Sequence, residues 1–205
     1  MLRACDHQAS DKVVFVGDLV AKGPDSRGVL AIVRELSAQS VLGNHDARVL
    51  EHRQALEEGR TPRPLRRDHA AVVAALDDRD FALLASLPLH LELPENLGLV
   101  VHAGIVPGIP LAQQEPDMLL NIRTIRPDGT GSRRPNEGVL WGSVYGGPAF
   151  IYFGHHAAQG LQRHPYALGL DTGCVYGRRL SAFVLPDKRL ISVEARKTYT
   201  EVKGL

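Results

Sequence analysis

The stretch Val13-Val14-Phe15-Val16-Gly17-Asp18-Leu19-Val20-Ala21-Lys22-Gly23 decides the fold. Its continuous apolar, largely β-branched run reads as a buried strand, and Gly17-Asp18 delivers a carboxylate at the C-terminal end, where α/β sheets place their ligands. Gly23-Pro24-Asp25-Ser26 then offers a turn and an N-cap, and Val29, Leu30, Val33 and Leu36 recur at helical spacing.

Outward from this unit the same grammar repeats. Ser40-Val41-Leu42 reads as a brief strand, Gly43-Asn44-His45-Asp46 as a polar corner, and Ala47 to Glu58 as helical in composition. Gly59 to Arg67 is a Pro- and Arg-rich loop, and Asp68–Leu87 supplies two short helical stretches. Leu89–Leu93 and Leu97–Val101 are predicted to pair as strands, the second ending at His102. Gln113–Arg123 is predicted helical, whereas Arg126–Glu137 is too polar and breaker-rich for regular structure. Further strands are expected at Phe150–Phe153, Ala167–Leu170, Leu180–Leu185 and Leu190–Glu194.

Composition narrows the class. With 205 residues, 44% hydrophobic and 23% charged, the chain is long enough for one substantial core and is expected to form a single domain, 1–205. A net charge of +1 gives no overall pull toward nucleic acid or membrane. No apolar stretch approaches the roughly 20 residues that span a bilayer. Cys5 and Cys174 form neither a disulfide framework nor a C-x-x-C site, and Met1–Lys12 has no apolar secretory core, so a soluble, cytoplasmic protein is expected.

Five corners end or follow the strands: Gly17-Asp18, Gly43-Asn44-His45-Asp46, His102-Ala103-Gly104, Gly154-His155 and Asp171-Thr172-Gly173. Such side chains converge on the crevice above a sheet. Oxygen and imidazole ligands without thiolate suit Zn, Mn or Fe. Asp18 is the natural carboxylate to bridge two ions, which together lower the pKa of a bound water toward about 7. Asp171 reads equally as a site residue or as a turn former.

In order and spacing these corners resemble the signatures of the phosphoprotein-phosphatase-type, calcineurin-like metallophosphoesterases. Leu170-Asp171-Thr172-Gly173-Cys174-Val175-Tyr176-Gly177 is similar to the segment that marks their diadenosine-tetraphosphatase branch. The resemblance implies an α/β sandwich of two mixed sheets flanked by helices. It implies that Asp18 bridges two divalent ions, Mn, Zn or Fe, while Asn44, His102 and His155 complete the second ion's shell. His45 would protonate the leaving oxygen and Asp46 would orient its imidazole, with Lys22 and Arg123 holding phosphate oxygens. Five other histidines, His52, His69, His90, His156 and His164, lie outside these corners and read as surface or helix-face residues.

The implied activity is hydrolysis of phosphoanhydride or phosphate ester bonds by a metal-activated water. Substrates would be small molecules, a dinucleoside polyphosphate, other nucleotide or inorganic polyphosphate, with a capped RNA end within the same chemistry. One departure stands out. The family opens with a Gly-Asp-x-His-Gly corner that serves the first ion, and none is found here; Cys5-Asp6-His7 has the wrong spacing and no strand before it. The chain is therefore expected to be N-terminally incomplete, to lack its first strand, and to hold one ion rather than two unless that corner is supplied. The alternative is a catalytically dead module that binds phosphate and metal, a pseudophosphatase.

Overall fold

The computed structural model describes residues 1–201. After a single 3-10 turn at Leu2–Cys5, the chain forms β1 (Val14–Phe15), α1 (Ser26–Glu35), β2 (Gln39–Ser40), α2 (Asn44–Glu57), α3 (Arg67–Ala75) and α4 (Asp78–Ala85). Next come β3 (His90–Leu93), β4 (Gly98–Val101), α5 (Pro116–Asn121), β5 (Thr124–Ile125), β6 (Gly131–Ser132), β7 (Val139–Leu140) and the short α6 (Trp141–Val144). β8 (Ile151–Phe153), β9 (Gln162–His164), β10 (Ala167–Gly169), β11 (Arg179–Val184) and β12 (Arg189–Glu194) complete the order.

The largest sheet runs β3-β4-β8-β10-β9, with β4, β8 and β10 parallel at its centre and antiparallel strands at both edges. Alternation along its strands feeds two cores. Leu99, Val101, Ile151, Phe153 and Ala167 face the cluster built on Leu119, Ile122 and Trp141. Val100, Tyr152 and Leu168 face the other way and meet Val14, Val16 and Val41 from the β1–β2 pair and Phe183 from the β11–β12 hairpin. A third cluster sits among the helices, where Leu30 and Val33 of α1 pack with Val49, Val72, Phe81 and Leu84. The mixed α/β class and helical flanks are as expected, but the sheets are unequal, one of five strands with three smaller ones.

Three local readings change. First, α2 begins at Asn44 rather than Ala47, so the polar corner is the first turn of a helix. Second, the helix expected over Gln113–Arg123 shrinks to α5, because Pro116 has no N–H to donate and so marks a start; Arg123 lies beyond its end, in extended chain. Third, the segment taken as irregular contributes β6, which pairs with β5, while β7 pairs with the opposite edge of β5. A buried hydroxyl explains part of that order, since Thr124 Oγ1 donates to the Arg134 carbonyl at 2.7 Å.

Candidate metal centre

Gly17 and Asp18 leave β1 with φ of 86° and 56°, so the strand turns through the left-handed region at the residue that carries the carboxylate. The α2 turn comes in close beside it. A Cβ on Gly43 would lie 2.1 Å from the Asp18 nitrogen, so only glycine fits there. The first turn of α2 then aims the His45 backbone N–H at Asp18 Oδ1, 3.0 Å away, which fixes that carboxylate at a helix N-terminus.

Asp18, His102 and His155 present ligand atoms within 4.8 Å of one another, and Asn44 stands among them. Its Oδ1 lies 3.1 Å from His102 Nε2 and 3.0 Å from His155 Nδ1, while His102 Nε2 is 3.4 Å from Asp18 Oδ1. His102 is fully buried, and its Nδ1 donates to the Val16 carbonyl at 2.8 Å. With that proton committed, Nε2 turns a lone pair toward two oxygens that are themselves acceptors. Such a convergence calls for a cation. His155 is held neutral, because burial and then the neighbouring His102 and Arg123 push its pKa well below the ordinary imidazole value. Its Nε2 is buried without a hydrogen-bond partner among the described residues.

The second and third residues of α2 part company. His45 lies near the cluster, Nε2 4.0 Å from Asp18 Oδ2, and burial brings its pKa down to about 4 despite the favourable Asp18 charge. Asp46, expected to orient that imidazole, does not touch it: Oδ1 accepts from Val20 N at 3.1 Å and Oδ2 from Gly43 N at 2.9 Å. The correction has a simple cause. Asp46 is the third residue of its helix, where a carboxylate folds back on the N-cap backbone. The partner of His45 is instead His69, whose Nε2 is 2.8 Å from His45 Nδ1, and His69 Nδ1 in turn is 3.1 Å from Asp68 Oδ1. The adjacent Asp68-His69 pair is visible in the sequence, but its reach from α3 to α2 comes only from helix packing.

Lys22 and Arg123 lie around the same centre. Lys22 Nζ sits 5.5 Å from the Tyr176 ring centroid. Arg123 is partly buried, which lowers its pKa while the Asp18 charge opposes the shift, and its Nη1 donates to the Arg133 carbonyl. Neither makes a salt bridge to a carboxylate among the described residues. Other basic residues do: Arg63 pairs with Glu51, Arg126 and Arg134 with Glu137, and Arg133 with Asp117. Asp171 proves to be a turn former, Oδ1 accepting from Gly173 N at 3.1 Å, yet it also feels the site: burial and then Asp18 raise its pKa. His156, read as surface, is buried, and burial followed by Arg123 lowers its pKa to about 4.

Comparison with known proteins identifies the family. Residues 2–183 match the model of the calcineurin-like phosphoesterase family. A symmetrical bis(5'-nucleosyl)-tetraphosphatase from Aromatoleum aromaticum is 31% identical over 92% of the chain and 88% of that protein. An asymmetrical bis(5'-nucleosyl)-tetraphosphatase PrpE from Oceanobacillus iheyensis is 27% identical over 96% of the chain and 83% of that protein. A crystal structure described as that of a candidate diadenosine tetraphosphatase superposes with a TM-score of 0.85 at 38% identity, covering 95% of this chain and 85% of the other.

Proposed function

The chain belongs to the calcineurin-like phosphoesterases, and from that premise we propose that it hydrolyses phosphoanhydride bonds in small polyphosphorylated molecules, dinucleoside polyphosphates above all. The observation that carries the reading is the His102 geometry: its Nδ1–H is committed to the Val16 carbonyl while Nε2, Asn44 Oδ1 and Asp18 Oδ1 converge as three acceptors. This donor set fits a divalent metal of the Zn, Mn or Fe kind, with Asp18, Asn44, His102 and His155 as its ligands. When bound, such ions supply Lewis acidity toward phosphate oxygens and make water acidic near neutral pH.

The remaining steps fall to the chain's own groups. Lys22 and Arg123, without carboxylate partners among the described residues, would hold the non-bridging oxygens and offset the charge that shifts onto them as the bond breaks. Asp18, fixed by the His45 backbone N–H, would keep the negative side of the site in place. The bond from phosphorus to the leaving oxygen would break as water adds opposite it, and His45 Nε2, on the Asp18 side of its ring, would supply the proton that oxygen needs. Two partly buried free cysteines fit a reducing, cytoplasmic setting.

The test is turnover by purified protein supplied with Mn, Zn or Mg. Diadenosine tetraphosphate, inorganic polyphosphate and p-nitrophenyl phosphate are the probes. Hydrolysis of the first that disappears on Asp18→Asn supports the reading. A folded, metal-bearing sample that turns over none of the three overturns it in favour of a binding module.

A further inference from the structure

The proposed chemistry gives no task to one buried group, the His69 imidazole, which is 5% exposed and lies on the first turn of α3. Its ring meets that of His45 with centroids 4.9 Å apart and planes 27° apart. With the two nitrogens only 2.8 Å apart, the rings meet edge to edge and nearly in plane, as an N–H···N hydrogen bond requires, rather than face to face. On its far side His69 Nδ1 faces Asp68 Oδ1, which also accepts from the His69 backbone N–H at 3.0 Å. Partial burial works against the Asp68 charge, but its bonds from His69 outweigh that and hold the carboxyl below its ordinary range.

The direction of the chain follows from one fixed end. An ionised carboxylate only accepts, so His69 Nδ1 carries a proton toward Asp68. A neutral His69 then offers its Nε2 lone pair, and His45 must donate Nδ1–H to it. That leaves Nε2 of His45 as the ring nitrogen facing Asp18, at 4.0 Å. Asp46 does not set this tautomer: its oxygens accept from the Val20 and Gly43 N–H groups, and His45 Nδ1 meets His69 instead.

We propose that His69 and Asp68 are positioning residues for phosphoryl hydrolysis, a relay that pins the Nδ1–H tautomer of His45 and keeps its Nε2 aimed at the reacting centre. The proposal rests on the phosphoanhydride reading above and deepens it. As water adds to phosphorus on the far side and sheds its proton to solvent, His45 Nε2, which has taken up a proton from solvent, faces the leaving oxygen. The bond from phosphorus to the leaving oxygen breaks with its electron pair on that oxygen, and the Nε2 proton passes to it. Until then, the His45 ring carries a positive charge, which the His69 acceptor and the Asp68 carboxylate behind it stabilise.

Two measurements test this. In the first, steady-state kinetics at saturating Mn compare wild type with His69→Ala, His69→Gln and Asp68→Asn on phenyl phosphate and p-nitrophenyl phosphate. A group that serves proton delivery matters most when the leaving oxygen is basic. Thus His69→Ala is expected to lower kcat on phenyl phosphate by about a hundredfold, within the usual reach of acid–base catalysis, and by roughly a tenth of that on the nitrophenyl ester, with KM changed less than about twofold. His69→Gln, whose amide can meet Nδ1 of His45, is expected to recover most of the loss, and Asp68→Asn to fall between. Equal losses on both esters in His69→Ala and His69→Gln alike, or no loss, overturn the proposal.

The second measurement needs no activity. A long-range ¹H–¹⁵N spectrum of the metal-free protein, with His45 identified by its disappearance in His45→Asn, is expected to show the Nδ1–H tautomer in wild type and its loss in His69→Ala. A tautomer that is Nε2–H in wild type, or unchanged in the variant, sinks the idea. If His69→Ala does not fold, His69→Gln and Asp68→Asn carry both tests. Wild-type protein inactive with every metal would instead count against the phosphoanhydride reading, and the spectrum would still decide the relay.

Discussion

Asp46 and Asp80 occupy the same local position, the third residue of α2 and of α4, and each folds a carboxylate oxygen back to its helix's N-cap backbone N–H. Both are fully buried. Their surroundings differ in sign. Asp80 meets two guanidinium groups, Arg34 at 2.8 Å and Arg27 at 3.2 Å. Asp46 accepts hydrogen bonds only from backbone N–H groups among the described residues and has the Asp18 carboxylate as a neighbour, so burial first and Asp18 second raise its pKa to about 7. One motif thus serves two ends. At α4 the protein supplies its own cations and the site is structural; at α2 it gathers acceptors and leaves the positive charge to come from outside.

The comparison breaks most visibly at Asp18. Asp18→Asn removes the charge that makes the α2 end anionic, and diadenosine tetraphosphate hydrolysis is expected to fall about a thousandfold or more, matching the several kcal/mol that metal-assisted charge stabilisation supplies. Activity within tenfold of wild type would mean that this carboxylate does not organise the centre. At the other end, Asp80→Ala leaves Arg27 and Arg34 facing an empty pocket. Removing one partner of a buried pair costs about 3–5 kcal/mol; because Arg27 and Arg34 are 54% and 41% exposed, the lower end is expected. Urea titration checks this, and the loss should be the same with or without Mn.

A third measurement sets the two ends side by side. Mn at about a hundred times its Kd is expected to stabilise wild type by about 2.7 kcal/mol, which is roughly 5–10 °C in Tm for a chain of this size. That shift should survive in Asp80→Ala, on a lower baseline, and vanish in Asp18→Asn. A shift retained in Asp18→Asn would place the ion elsewhere.

What the sequence made legible divides along the same line. The convergence of Asp18, Asn44, His102 and His155 was legible because each sits at a corner that ends a strand or begins a helix, and corners are written locally in Gly, Asn and Asp. The spacing of Gly43 to Asp46 also held the clue that corrects the role given to Asp46, since an N-cap followed three residues later by a carboxylate at the third helical position is itself a local signal. His69 was not legible. Its neighbours Arg66, Arg67 and Asp68 look like a solvated helix start, and its contact with His45 exists only because α3 packs on α2. The small sheet formed by β5, β6 and β7 was hidden for a different reason: its strands are two residues long, too short for alternation to show, and are held by loop contacts such as Thr124 to the Arg134 carbonyl.

The finest test of the comparison is the pH dependence of metal-free stability. Asp46 has its pKa raised from 3.8 to about 7 on folding. The folded protein therefore binds this proton more tightly than the unfolded chain does. The stability it confers is complete below about pH 4 and is lost as pH rises through 7. Histidines held neutral in the fold, His45 and His156 among them, work in the opposite sense at the acidic end, so the wild-type curve alone would mix the two. Asp46→Asn cancels one contribution and leaves the other. The variant is expected to start less stable, because an amide offers one oxygen where two backbone N–H groups need acceptors. Its deficit in Tm against wild type should then narrow by roughly a few degrees between pH 5 and pH 8. Added Mn should reduce that narrowing without abolishing it, since a cation beside Asp18 cancels the repulsion that helps keep Asp46 protonated but leaves the larger effect of burial in place. A deficit that stays constant with pH in the metal-free protein would mean that Asp46 is as well compensated as Asp80, and the contrast between the two helix ends would fail.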